Sequence, residues 1–305
     1  MPGASAIVSV VISTYNRRDK LKRAVTSALN QTVQEFELIV VDNASTDATE
    51  EMVKSIKDPR LRYIKHETNK GGPAARNTGI RAAQAPLIAL LDDDDEWFAQ
   101  KLEKQVQRIK QAPDKTGLVY AGTEIYDEHK RHVQQVNRPR YRGNVYHRLL
   151  LSTILGSVSS VLIKRECFDK AGLFDEQLTS CQDWDMWLRI AQYFEFDFVD
   201  ETLARINMHG EQISTNFAAL IPGRSRMVAK HEQEFKQHPE IFVVHLKRLG
   251  KLHFINGTWR QGFDWFKMAI VVRPLELVKI LAWCVIELPI VKFCSPTKNF
   301  KKYTG

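Results

Sequence analysis

The chain has 305 residues, 44% of them hydrophobic and 26% charged, with 15 Gly and 11 Pro. That composition excludes a disordered, collagen-like or low-complexity protein and is ample for one large domain or two small ones. The net charge of +8 is unevenly held: residues 1 to 220 carry 29 Lys and Arg against 30 Asp and Glu, residues 221 to 305 carry 15 against 6. An anionic partner, a membrane surface or a nucleic acid, is therefore expected for the C-terminal part alone.

Met1 to Ser13 lack a basic stretch and a small-residue cleavage site, so no signal peptide is expected. "IVSVVIST" (Ile7 to Thr14) predicts a strand, and Leu21, Ala24, Val25, Ala28 and Leu29 then fall on one helical face. "FELIVVD" (Phe36 to Asp42) predicts a second strand. Asp47 with Glu50 three residues on predicts a capping box for a helix ending near Ile56. "LRYIKH" (Leu61 to His66) predicts a third strand, "NKGGPAARNTGIRAAQA" a glycine turn and helix, and "PLIALL" a fourth strand. A helix over Ala99 to Ala112 and a fifth strand over Gly117 to Tyr126 follow.

Beyond residue 130 the pattern loosens. "SSVLIKRECFDKAGLFDE" predicts a strand, a short helix and a turn at Gly172, and Gln182 to Phe194 a helix. "FDFVDETLARINMHG" predicts a strand pair or hairpin, and the last eighty-odd residues are helical. Leu275 to Cys294 is apolar but interrupted by Lys279, Glu287 and Pro289. A spanning helix wants about twenty nearly uncharged residues, so this segment is read as interfacial or as packed on the domain. Cys167, Cys181, Cys284 and Cys294 show neither metal spacing nor a dense framework and are read as free thiols of a reducing compartment.

Strands alternating with helices imply a mostly parallel sheet with helices on both faces, an α/β fold, followed by a C-terminal helical extension. Ligands in such sheets sit beyond the carboxyl ends of the strands. Polar residues gather there: Tyr15 and Asn16, Asp42, Asn69 to Asn77, and the run Asp92 to Asp95. No GxxxxGK[ST] loop is present and no GxGxxG follows the first strand, which disfavours a Walker-type ATPase and a dinucleotide-dependent dehydrogenase. "LLDDDDEW" is either a solvated acidic loop at a helix start or a hard-cation site, since Mg²⁺ and Mn²⁺ take carboxylate oxygens together with substrate phosphates. Its position directly after a buried strand favours the cation.

The motifs "STYNR", "IVVDNASTD", "NKGGPAARN", "LLDDDDEW", "GLFDE" and "QDWDMW", in this order between about residues 5 and 215, resemble the inverting glycosyltransferases of family 2, which have the GT-A fold. The resemblance implies a three-layer α/β/α sandwich over residues 1–220, with nucleotide-sugar binding in 5–126 and the acceptor and catalytic part in 127–220. Residues 221–305 form a basic helical extension outside the resemblance. It implies that Thr14, Tyr15 and Asn16 line base and ribose, that Asp42 binds the base, typically uracil, and that Arg76 lies near the base or diphosphate. Asp92 and Asp93 contact ribose or metal and Asp94 ligates the metal, with His209 completing the metal or diphosphate site. The resemblance makes Asp183 the general base, although Gln182 stands where the family has glutamate. Of Trp184 and Trp187, three apart on one helix, at least one is expected in the core, and Trp184, next to Asp183, is the better acceptor candidate together with Gln182.

The implied cofactor is a divalent cation, Mn²⁺ or Mg²⁺, and the implied donor a nucleoside diphosphate sugar. The implied acceptor is a glycan or lipid-linked hydroxyl at the cytosolic face of an anionic membrane. A nucleotidyltransferase is disfavoured because "STYNRRDK" has no glycine after the first strand. A non-catalytic binding module would not need Asp183 beside the aspartate run, and no nucleic-acid reader motif is present. Asp95 and Glu96 are read as serving the loop and helix start, Trp97 as packing under the loop, and His66, His129 and His147 as exposed or structural.

Overall fold

The computed structural model describes residues 6–208 and 217–287. Two compact units are formed. The first draws on the chain up to Leu149, on Thr153–Glu176 and on Asp183 onward to the end of the last strand. The second draws on Leu150–Ser152, Gln177–Gln182 and the C-terminal helices.

The described elements of the first unit run β1 (Val8–Thr14), α1 (Arg18–Leu29), β2 (Phe36–Asp42), α2 (Thr49–Ser55), β3 (Leu61–Lys65), α3 (Gly72–Ala82), β4 (Leu87–Asp92) and β5 (Glu96–Trp97). Then follow α4 (Lys101–Gln111), β6 (Thr116–Asp127), β7 (His132–Asn137), α5 (Tyr146–Leu151), a 3₁₀ turn (Val158–Ser160), β8 (Val161–Lys164), α6 (Arg165–Ala171), α7 (Gln182–Ile190) and β9 (Glu195–Met208). The sheet order is β3-β2-β1-β4-β8-β6-β9-β5, with β7 on the edge of β6. β1 runs parallel to β2 and β4, and β2 to β3, whereas β8 is antiparallel to both β4 and β6. The sheet is thus mixed but parallel across β3, β2, β1 and β4, as the alternation of periods predicts.

The period of two sorts the layers. Val8, Val10 and Ile12 join the core that α1 and α4 cover through Leu21, Val25, Leu102 and Val106. Val11 points the other way, onto α3, and the approach is so close that a Cβ at Gly79 would lie 2.3 Å from Val11 Cγ1. Helices on both faces make the sandwich.

Two local expectations are corrected. The predicted hairpin over "FDFVDETLARINM" is one strand, β9, running parallel to β6. The polar Asp200-Glu201 that suggested a turn is a bulge: Ala121 pairs Val199, yet Gly122 pairs Thr202. A side chain at position 122 would meet the Glu201 carbonyl at 2.9 Å, so only glycine accommodates it. The capping box also fails to close. Asp47 Oδ1 accepts from Thr49 N at 3.1 Å, while Glu50 reaches Lys54 and Lys65, each at 2.6 Å.

The second unit contains α8 (Phe217–Lys230), α9 (Glu232–Lys236), α10 (Pro239–Ile255), α11 (Trp259–Val272) and α12 (Glu276–Ala282), which runs on as one wider turn, Trp283–Glu287. Phe254 of α10 stacks on Phe266 of α11 with ring centroids 5.3 Å apart, and Trp283 meets both edge-on. His245 of α10 is buried, with Nε2 bonded to the Leu150 carbonyl at 2.7 Å. Burial pulls its pKa down to about 4.

The unfolded chain, with an ordinary histidine near 6.5, therefore binds a proton that the fold refuses between pH 6.5 and 4. Stability from this residue is present above pH 6.5 and falls through that window, by roughly 3 kcal/mol at its lower end. Urea melts at pH 7.0 and 4.5 should show this loss in the native chain and a flatter dependence in His245→Gln. Equal slopes would discard the assignment.

Candidate active site

The carboxyl ends of β1, β2 and β4 lie side by side, with Thr14 opposite Asp42 and Ser13 opposite Asp92. Past β1 the chain turns through Asn16 in the left-handed region, φ 51°, which Asn tolerates better than most residues. Asn16 Oδ1 accepts from Thr46 N at 2.7 Å, and Asn16 N donates to Ser45 Oγ at 2.9 Å. This stitches the "STYN" segment to the loop after β2 and leaves Tyr15 exposed at its tip. Asp42 is fully buried, with Oδ1 accepting from Ser45 N at 2.8 Å and Oδ2 from Tyr63 Oη at 2.5 Å.

Asn43 orders the third segment: its Oδ1 accepts from Lys70 N and contacts His66 Nδ1, both at 2.9 Å, and its Nδ2 donates to Asn69 at 2.6 Å. His66, read from sequence as lacking an evident partner, is a structural link, with Nε2 2.9 Å from Thr78 Oγ1. Gly71, at φ 88°, then takes a conformation that a side chain would oppose and lets α3 start toward the aspartates.

Four consecutive aspartates repel one another unless neighbouring groups offset their charge, and the fold supplies such groups. Asp92 Oδ1 takes Arg76 Nη2 at 2.6 Å. Asp93 turns back under β1, accepting from Thr14 Oγ1 at 2.7 Å and Arg17 Nη1 at 2.9 Å. The same Arg17 nitrogen reaches Asp94 Oδ2 at 2.9 Å. Asp95 is buried, taking Ser159 Oγ at 2.6 Å and Asn207 N at 3.3 Å. Burial pushes Asp93 up to about 6 despite Arg17, with Asp94 adding to the rise. Asp95 is raised well above an ordinary aspartate by burial and by the charges of Asp92 and Asp94.

One oxygen each from Asp92, Asp94 and Asp95 lies within 4.8 Å of the others, spacing and donor chemistry that fit a hard divalent cation. Asp93 lies outside this triplet, with its oxygens accepting from Thr14 and Arg17, and Asp95, expected to serve the loop and helix start, is its third carboxylate. Glu96 does not open a helix but pairs, in β5, with Arg205 of β9. His209 lies outside the described residues.

Asp183 stands in the first turn of α7. Burial raises its pKa, the Trp184 N–H and the charge of Arg76 oppose this, and Asp92 adds to it. Arg76 is the common neighbour. Burial works against its charge, but Asp92, Asp183 and Asp93 outweigh burial and raise its pKa.

Trp184 is corrected from acceptor platform to core: it is 3% exposed, and its Nε1 donates to the Leu149 carbonyl at 2.6 Å. Gln182, the first residue of α7, donates its amide to the Leu178 carbonyl at 2.8 Å. Trp97 packs under the loop as expected, with Nε1 donating to Ser159 O at 2.7 Å. Lys101 lies over its ring at 4.0 Å, fully buried and with its pKa well lowered by burial.

Arg17, Ser159 and Asn207 were missed from sequence. Arg17 could have been found, being basic and three residues past Thr14. Ser159 and Asn207 have no local signal, since each is more than sixty residues from the aspartates.

The sequence model of glycosyl transferase family 2 matches residues 9–172, more than half of the chain. The chain belongs to glycosyl transferase family 2. Within that family it is 30% identical over 267 residues to WcaA of Escherichia coli, a glycosyl transferase named for colanic acid biosynthesis, covering 83% of this chain and 91% of the relative. It is 29% identical over 284 residues to MJ1057 of Methanocaldococcus jannaschii, an uncharacterized glycosyltransferase, covering 90% and 92%. It spans only 29% of a longer glycosyltransferase of Rickettsia bellii.

Solved structures share the fold at low identity. The mannosyltransferase PcManGT of Pyrobaculum calidifontis, in complex with GDP-Man and Mn²⁺, superposes at TM-score 0.60 and 16% identity, covering 99% of this chain and 86% of that one. Residues 1–349 of S. aureus TarS, in complex with UDP-GlcNAc, superpose at TM-score 0.58 and 16% identity, covering 86% and 90%. The family 2 fold is thus present, with the GT-A-type mixed sheet and C-terminal helices beyond it.

Proposed function

We propose that this family 2 glycosyltransferase is metal-dependent and inverting. In this reading it moves a sugar from a nucleoside diphosphate, UDP in the first instance, to a hydroxyl of a glycan or lipid-linked acceptor in surface polysaccharide or lipopolysaccharide assembly. The observation that carries it is Arg76 set among Asp92, Asp93 and Asp183, beside the Asp92, Asp94 and Asp95 oxygens, at the carboxyl ends of parallel strands. Support for substrate class comes from the names of the relatives, WcaA for a surface polysaccharide, and from fold neighbours that bind UDP-GlcNAc or GDP-Man with Mn²⁺.

The reaction divides among the residues of the site. Tyr15 and Asn16 with Thr14 line base and ribose. Direct contact between Asp42 and the base uses the second lone pair of an oxygen already held by Ser45 or Tyr63. Asp92, Asp94 and Asp95 would hold a divalent cation, and that cation would supply positive charge to a diphosphate leaving unprotonated. Arg76 adds a fixed cation on the same side. Asp183 accepts the proton of the acceptor hydroxyl as that oxygen bonds to the anomeric carbon from the face opposite the diphosphate, inverting the centre. The bond that breaks is the one from that carbon to the diphosphate oxygen, which keeps the electron pair.

A thermal-shift screen of nucleoside diphosphate sugars with Mn²⁺ tests the donor class. At one hundred times Kd, a donor should raise the melting temperature by about 5 °C, and the shift should vanish with chelator. No shift from any nucleotide sugar would overturn the reading; a shift from GDP-sugars alone would replace UDP.

A further inference from the structure

The second unit presents an apolar face that its own packing does not use. Along α12 and the following turn, Leu275, Val278, Leu281 and Val285 are spaced three, three and four residues apart and are 80%, 70%, 55% and 74% exposed. The residues between them, Glu276, Ile280 and Trp283, are buried. On α11, Trp259 and Phe263 are likewise exposed one turn apart. Hydrophobic residues therefore line both faces of α12, and a contiguous exposed strip of this kind marks a binding surface. No described helix is long and apolar enough to cross a membrane.

Charge identifies the occupant. Arg260, Lys267, Arg273 and Lys279 are exposed on the same two helices, against Asp264 alone among exposed acids there. Glu276 is buried and held by Lys247 and Lys279 at 2.5 and 2.8 Å. A second copy meeting this face through a two-fold axis would set the basic rim against itself. Residues 288–305 bring no opposite charge to the rim: they contain Lys292, Lys298, Lys301 and Lys302 and no acid. An apolar strip with a basic rim is complementary to an anionic bilayer, whose acyl boundary takes the strip and whose headgroups take the cations.

We infer that the α11–α12 face docks on anionic lipid, seating the strip from Leu275 to Val285 at the acyl boundary. The inference rests on the proposed transfer only in placing a lipid-borne acceptor. Lipid contact is read without donor, so its failure would leave the transferase reading standing, and the donor screen tests that reading separately.

The experiment is flotation of the full chain with vesicles of phosphatidylcholine alone or with about one-third phosphatidylglycerol. The expected result is flotation with the anionic vesicles only, weakened by 1 M NaCl, in line with roughly fivefold in affinity per basic contact. Leu281→Asp with Val285→Asp should lower binding at least about tenfold, and Lys267→Glu with Arg273→Glu should do the same. All four positions are exposed, and an unchanged melting temperature confirms that each variant is folded. Three results would overturn the inference: flotation unaffected by the aspartate pair, absence of flotation with a monomer in solution, or a dimer in solution that the aspartate pair dissociates. The second would point to cover by residues 288–305 and the third to a second copy.

Discussion

Asp183→Asn is expected to lower sugar transfer by about 10²- to 10⁴-fold, the usual contribution of a positioned base, while nucleotide affinity stays within a few-fold of the native protein. The amide keeps the size of the carboxylate and an oxygen for the Trp184 N–H, so the first turn of α7 is undisturbed. What it lacks is the capacity to take a proton. The environment prepares the native group for proton transfer, because burial raises its pKa and Asp92 adds to the rise, so its conjugate acid is weaker than an ordinary aspartic acid. The charge of Arg76 opposes the rise. Radiolabelled transfer and calorimetry with nucleoside diphosphate separate the two effects. Turnover within tenfold of native would remove Asp183 from the role, and a parallel collapse of nucleotide binding would show that the substitution damages the site rather than the chemistry.

The second large effect concerns the cation. Asp94→Ala is expected to abolish the Mn²⁺-dependent part of nucleotide affinity, a loss of about 10²-fold or more, since even outer-sphere changes cost 10- to 100-fold. Arg17→Met should move cation affinity the other way in the absence of nucleotide. Its guanidinium holds Asp94 Oδ2 at 2.9 Å and so competes for an oxygen the metal needs; without it Mn²⁺ binding to the nucleotide-free protein should tighten by roughly tenfold. The same substitution leaves the buried Asp93 with only Thr14, so the metal-free protein should melt at lower temperature. Titration of Mn²⁺ followed by calorimetry or electron paramagnetic resonance reads both variants. Equal Mn²⁺ affinity in native and Asp94→Ala protein would take the cation away from this loop.

Much of this was legible in the residue order. The apolar runs ending in Thr14, Asp42 and Asp92 are strands whose partners and parallel sense follow from the helices between them, so three of the site's segments converge by rule. Those features are local: periodicity is a property of neighbouring residues, and a buried parallel strand reads as an unbroken apolar run. The β9 region shows the limit. Its polar Asp200-Glu201 has the composition of a turn, and only the register against Gly122 makes it a bulge.

The sequence by itself therefore determined the α/β alternation, the family motifs, the position of the aspartate run at a strand end and the excess of positive charge past residue 220. Tertiary structure alone decided which partner each aspartate takes. Four identical carboxylates in a row carry no label, and their surroundings are set by Arg76, by Thr14 and Arg17, and by Ser159 and Asn207, groups 16 to 112 residues away. It also decided that Trp184 is core and that α12 turns an apolar face outward. The physical reason is the same in each case: helix and strand periodicity is set by adjacent residues, but the partner of a charge and the cover of an apolar face are set by what the fold brings from elsewhere.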